Sequence, residues 1–243
     1  MGALTKGFRI LEAVTAAGSG LTFSEIVDET GIPKASAHRF LRELVALSAL
    51  VYDDATRQYR GGLLLAGLGA SVTQNYDIRR IARPHLEALH EQTGSVATLG
   101  IRDGEKGIYI DKIEPSEFVV RLHSEIGKSF PLHCTAMGKV LLAYGDASTV
   151  AKVTRRKLRA YTAKTITDGK VLRQELESIA ARGFAVDREE ITRGLVCVAA
   201  PIFGVDGQVD SAMSCTISSF EASSGKLDTI TEHVVRCAGA ASC

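Results

Sequence analysis

Few residues of this chain are typed and spaced for chemistry. Cys197 with His133 as its base would make the nucleophile of a small cytoplasmic hydrolase, the alternative reading of the sequence. No nucleophile-elbow turn surrounds Cys197, and no third residue stands in fixed relation to orient the histidine. Asp187, Glu189 and Glu190 would serve acid–base work, yet a loop acid cluster is more often solvated or a helix-start feature. His85 and His90 are five apart, a poor spacing for one metal. His123 and His133 have no obvious third ligand, so neither metal nor cofactor is expected. What remains is a run of donors, Lys34, Ser36, His38, Arg39 and Arg42, with the small residue Ala35 among them. Such groups bind phosphate oxygens and base edges, and no enzymatic step is expected of them.

Those donors need a helix that turns them outward. From Lys34 to Ser48, Ala37, Phe40, Leu41 and Leu44 fall on one side at 100° per residue. Ala35, Arg39 and Arg42 point the opposite way, flanked by Ser36 and His38. A recognition helix has this form, with small residues for close approach and donors that reach the groove. Before it, Leu4, Phe8, Leu11 and Val14 give an amphipathic first helix ended by Gly18-Ser19-Gly20. A second begins near Ser24, with Thr22 and Glu25 placed as a capping box, and stops at Gly31. Ile32-Pro33 makes the tight turn into the third. Thr22 and Ser36 suit phosphate oxygens.

Leu50–Tyr52 and Gln58–Arg60 read as a ribbon around a turn at Asp53–Thr56, where Arg57 and Arg60 could touch the flanking backbone or the minor groove. Three helices and a ribbon make a winged helix-turn-helix over 1–61. A linker helix (Leu63–Asn75, within 62–77) and a helix at about Ile78–Glu91 follow. The body, 78–243, reads as antiparallel α/β, so the fold class is α/β in the α+β sense. Its expected strands are Val96–Ile101, Gly107–Lys112, Phe118–His123, Val196–Phe203 and Gln208–Ser218, with helices at Thr135–Tyr144 and Asp168–Arg182. The basic run Lys152, Arg155, Arg156, Lys157 and Arg159 reads as an exposed helix face.

If Asp206-Gly207 is the turn of the last hairpin, pairing places Cys197 opposite Thr216 and Ala199 opposite Ser214. Leu195, Cys197, Ala199, Ser214, Thr216 and Ser218 then share one face. A thiol and hydroxyls among small apolar residues suit a carboxylate or hydroxyl of a small ligand. The same register puts Cys197 and Cys215 on opposite faces.

Composition narrows the class. The 243 residues are 45% hydrophobic and 23% charged, ordinary globular material, and the net charge of +1 excludes a bulk electrostatic grip on nucleic acid or anionic lipid. Five cysteines without C-x-x-C spacing fit reduced thiols in a cytoplasm. Nothing reads as a targeting segment or as the roughly 20 apolar residues of a membrane span, so no membrane partner is expected.

Several long stretches resemble the IclR-type transcriptional regulators. They are Leu21–Ile26 and Gly31–Arg39 in the head, then Phe130-Pro131-Leu132-His133-Cys134-Thr135-Ala136-Met137-Gly138-Lys139, Gly183–Glu190 and Gly194–Ile202 in the body. The resemblance runs from about Leu4 to Ile217. It implies a homodimer, often a dimer of dimers, that binds double-stranded DNA at a palindromic operator and acts as repressor, activator or both. It also implies a GAF-like C-terminal domain for oligomerisation and for binding a small organic-acid effector. Onto this chain it carries effector contact to Leu195, Cys197, Ser214 and Thr216, to Ala136 and Met137 at a helix start, and to Val119. One stretch departs from the pattern: Ile217-Ser218-Ser219-Phe220 stands where the family usually has a Ser-Gly-Pro-like turn. The tail to Cys243 is short and rich in small residues.

Overall fold

The computed structural model describes residues 2–74, 77–115 and 124–242. The chain divides into two compact units, Met1–Asn75 and Tyr76–Cys243.

In the first unit α1 (Ala3–Ala16), α2 (Phe23–Thr30) and α3 (Lys34–Ala46) close a core of Ile10, Val14, Ile26, Ile32, Ala37, Phe40, Leu41 and Leu50. The expected face of α1 holds in its C-terminal half and is corrected in its N-terminal half. Val14 is buried with Ile10 and Ala13, and Leu11 packs against the core, whereas Leu4 and Phe8 are 76% and 59% exposed. Periodicity marks all of these positions as apolar without saying which of them the core reaches. Thr22 caps α2 with the full box: its backbone N–H donates to Glu25 Oε2 at 2.8 Å, and its hydroxyl accepts from the Glu25 N–H. Gly31 ends α2 at φ 64°, the left-handed cap that glycine adopts without strain. The ribbon is β2 (Leu50–Asp53) and β3 (Gln58–Gly61), joined on its other edge by β1 (Leu21–Thr22), which sequence reading missed. A helix α4 (Leu63–Gln74) follows.

The second unit is a six-stranded antiparallel sheet in the order β6-β5-β4-β9-β8-β7. Its elements are α5 (Asp77–Thr93), β4 (Val96–Asp103), β5 (Lys106–Ile113), β6 (Ser129–Pro131), α6 (Ala136–Ala143), α7 (Ala147–Arg155), α8 (Gly169–Arg182), β7 (Ala185–Arg188), β8 (Leu195–Ile202) and β9 (Ser211–Ser218). Side chains alternate across the sheet. Val196, Val198, Met213 and Cys215 pack toward α5 and the C-terminal helix, while Ala185, Ala199 and Ala212 pack toward α6 and α8.

The tail is ordered by a signal that sequence reading passed over. Ser218 and Glu221 form a second capping box that starts α9 (Ser219–Glu221). After a bend at Gly225, α10 (Leu227–Ala240) buries Ile230, Val234, Cys237 and Ala238 against the sheet. The expected strand Phe118–His123 lies outside the described residues. The hairpin tip is wider than a two-residue turn, because the ladder ends at Ile202 opposite Ser211 and Gly204 N–H closes the loop on the Gln208 carbonyl. Among the described residues no helix is long and apolar enough to cross a membrane.

Candidate functional site

In the head, α3 is buried on Ala37, Phe40 and Leu41, and this turns the other side to solvent. Lys34, Ala35, His38, Arg39 and Arg42 are exposed and Ser36 is half-buried. Pro33 precedes the helix without a side-chain cap, so the first amides of α3 stay available for an anion. Arg39 is held only loosely, 4.0 Å from Glu43 and above the Phe40 ring. The hydroxyl of Thr22 donates to Glu25 Oε2 at 2.7 Å, so this residue works first as a cap. Arg57 sits exposed in the wing turn at φ 55°. Asp53 shapes that turn by accepting the Ala55 and Thr56 N–H groups. The head thus gathers its candidate residues on α3 and the wing, with Thr22 at the start of α2.

In the body the hairpin register is the expected one: Cys197 pairs with Thr216 and Ala199 with Ser214. Cys197 Sγ lies 3.2 Å from the Thr216 hydroxyl. In the next row the Ser214 hydroxyl meets Thr98 Oγ1 at 2.7 Å, and Thr98 in turn faces the Met137 sulfur at 3.9 Å. Cys215 lies on the opposite face, and the described cysteines are all free thiols.

A cavity of about 90 Å³ opens on this face. Leu195, Cys197 and Thr216 line it, while Ser214, Ala136 and Met137 do not. The two α6 residues are buried at the helix start, where Thr135 caps the Gly138 N–H. Val119 lies outside the described residues. Sequence reading missed Tyr109, Ser129, Phe130 and Pro131, which close one wall, and Ile191 and Thr192, which close another. Phe130 and Pro131 open the family-like stretch Phe130–Lys139, and only strand pairing shows their direction. The ring of Phe130 lies so close over Gly107 that a Cβ there would come within 2.0 Å of it. Ser124 adds a buried hydroxyl with no hydrogen-bond partner among the described residues. The described lining carries no charged side chain.

Behind the cavity β7 pairs with β8 and sets Asp187 opposite Cys197. Burial pushes the Asp187 carboxyl up to about 7, and the Glu190 charge adds to this against the Glu190 N–H bond and Lys139. Lys139, 1% exposed, donates to the Val186 carbonyl at 2.7 Å and to Glu190 Oε1. The loop acids therefore form a buried cluster around one lysine, with Glu189 alone facing outward to Lys164.

This geometry gives the hydrolase alternative no support. Burial first and the Asp187 charge second push the Cys197 thiol up, so it stays protonated. His133 lines a different cavity, with Nε2 3.0 Å from the Arg159 carbonyl. Among the described residues no group of three or more His, Cys, Asp or Glu is placed to hold a metal.

Comparison with known proteins agrees with both halves. Residues 3–54 match the IclR helix-turn-helix domain and residues 70–243 the bacterial transcriptional regulator IclR C-terminal family. The chain is 31% identical over 219 residues to the DNA-binding transcriptional repressor YiaJ of Escherichia coli, covering 89% of this chain and 78% of that one. It is 34% identical over 217 residues to the HTH-type transcriptional regulator KipR of Bacillus subtilis, covering 88% and 85%. The solved IclR transcriptional regulator from Alicyclobacillus acidocaldarius superposes with a TM-score of 0.84 at 29% identity, over 99% of this chain and 97% of that one. An IclR homologue from Microbacterium hydrocarbonoxydans, solved with 4-hydroxybenzoate, shares the fold at a TM-score of 0.85 and 22% identity, over 99% and 97%. With a packed helix-turn-helix ahead of a sheet built around a small cavity, the chain belongs to the IclR family of DNA-binding transcriptional regulators.

Proposed function

We propose that the chain is a homodimeric regulator whose affinity for a palindromic operator is set by a small organic acid bound in the body. The observation that carries this reading is the two-sidedness of α3, packed on Phe40 and Leu41 and open on Arg39 and Arg42. Lys34, Ala35, Ser36 and His38 enter the groove beside those arginines, with Thr22 near a phosphate and Arg57 on the flanking backbone. Two heads on one operator read grooves about 34–36 Å apart. Exposed apolar side chains support association of two copies: Leu4 and Phe8 on α1, and Leu63 and Leu68 on α4 at 86% and 56% exposure. A dimer of dimers is compatible with the same reading. The free thiols fit work in the cytoplasm.

Support for the effector comes from the row of Leu195, Cys197 and Thr216 on the small cavity; Ser214, Ala136, Met137 and Val119 complete the set that the family resemblance implies. The room, about 90 Å³, suits a compact ligand. The relative solved with 4-hydroxybenzoate held a small aromatic acid, a member of the proposed class. Selection from random duplexes with the full chain, followed by release assays against small organic acids, tests the reading. Sequence-specific capture and release by one acid is expected. Failure to select any duplex overturns it.

A further inference from the structure

The basic run from Lys152 to Arg159 was expected on a helix face, and only Lys152 and Arg155 lie on one. α7 ends at Arg155, and Arg156, Lys157 and Arg159 continue on an extended segment pinned by the buried Leu158. That segment forms one bank of a cleft of about 400 Å³, separate from the inner cavity. Lys106 stands on the other bank. The one acid in the cleft, Glu105, is already neutralised by a two-point ion pair with Arg156. Lys106, Lys157 and Arg159 have no acidic partner among the described residues. Tyr161, with the Arg159 guanidinium 4.9 Å from its ring centre, adds an aromatic wall.

We propose that this cleft binds an organic phosphate, a phosphate monoester on a compact body. Three unneutralised cations around one mouth exceed what a single carboxylate would balance and favour the higher charge of a phosphate dianion. An arginine fork fits phosphate oxygens at two points, while lysines serve as point charges. The volume falls within the range of small-molecule sites, about 300–1,000 Å³, and is too confined for a duplex or a protein surface. The site is distinct from the effector pocket but shares a wall with it. Ser129, Phe130 and Pro131 of β6 line both cavities, so a ligand in the cleft presses on the strand that closes the inner one.

Calorimetric titration of the full chain with phenyl phosphate tests this, with phenol as the uncharged control. Saturable binding of phenyl phosphate but not of phenol is expected. The double substitution Lys157→Ala/Arg159→Ala should weaken it by about tenfold or more, the loss of one or two charge-assisted bonds. Arg39→Ala in the head and Thr216→Val in the inner pocket should leave it unchanged. Since Lys157 and Arg159 are exposed, unfolding curves of the double variant should match those of the parent chain. No saturable binding, equal binding of phenol, or binding undiminished in the double variant overturns the proposal. Binding lost with Arg39→Ala or Thr216→Val would assign the phosphate to the head or the inner pocket and overturn it equally.

Discussion

The head and the body use side chains in opposite ways. Arg39 reaches out from a small core with its side chain 66% exposed, whereas Lys139 sits at 1% exposure inside a six-stranded body. The groups proposed to meet DNA are spare to the fold that carries them. Groups around the body's cavity are part of its interior, where an unpaired polar atom is costly. Function and stability should therefore come apart in the head and stay joined in the body.

The largest effect expected from this contrast is at Lys139. Replacing it with methionine strands Glu190 without its counter-charge, and about 3–5 kcal/mol of body stability should be lost in denaturant unfolding. Adding Glu190→Gln should recover much of that loss; if it does not, the lysine acts by packing instead. Next comes the pH dependence. The folded chain holds the Asp187 proton up to about pH 7, whereas an unfolded carboxyl releases it near 3.9. The folded state binds more protons across that window, so this group's contribution to stability falls as pH rises through it. Asp187→Asn should flatten the corresponding slope of Tm against pH. In the head, Arg39→Ala should weaken operator binding by about 1–3 kcal/mol while Tm stays put. A matching drop in Tm would break the contrast. The smallest effect is Thr216→Val, which removes the hydroxyl 3.2 Å from Cys197. About 1 kcal/mol should go from effector affinity, with ligand-free DNA binding unchanged.

Local signals proved legible in this sequence and tertiary choices did not. The Thr22 box, the Gly31 cap and the Cys197–Thr216 register depend on residues close in the chain or on a single turn, and all are present. Which apolar positions of α1 are buried depended on where the core reaches, and Leu4 and Phe8 went to solvent. Asp187 read as a loop acid because nothing local says that β7 pairs with β8. β6, three residues long, is too short for alternation to mark, yet it walls both body cavities. In the tail the capping box at Ser218, which starts α9, was readable, and the small residues after it concealed the core helix α10.

β1 is only two residues long, but its placement has mechanical weight. Leu21 and Thr22 pair with Tyr59 and Gln58 of the wing, and Thr22 is also the cap of α2. The start of the helix-turn-helix and the inner strand of the ribbon are thus one hinge-free piece. In hydrogen exchange the β3 amides and the first turn of α2 should open together, as one cooperative unit. On the proposed reading such a head works as a stamp with fixed relief: the offset between Arg39 and Arg57 is built into the head. A signal reaching the head can then change where the stamp falls, while its pattern stays the same.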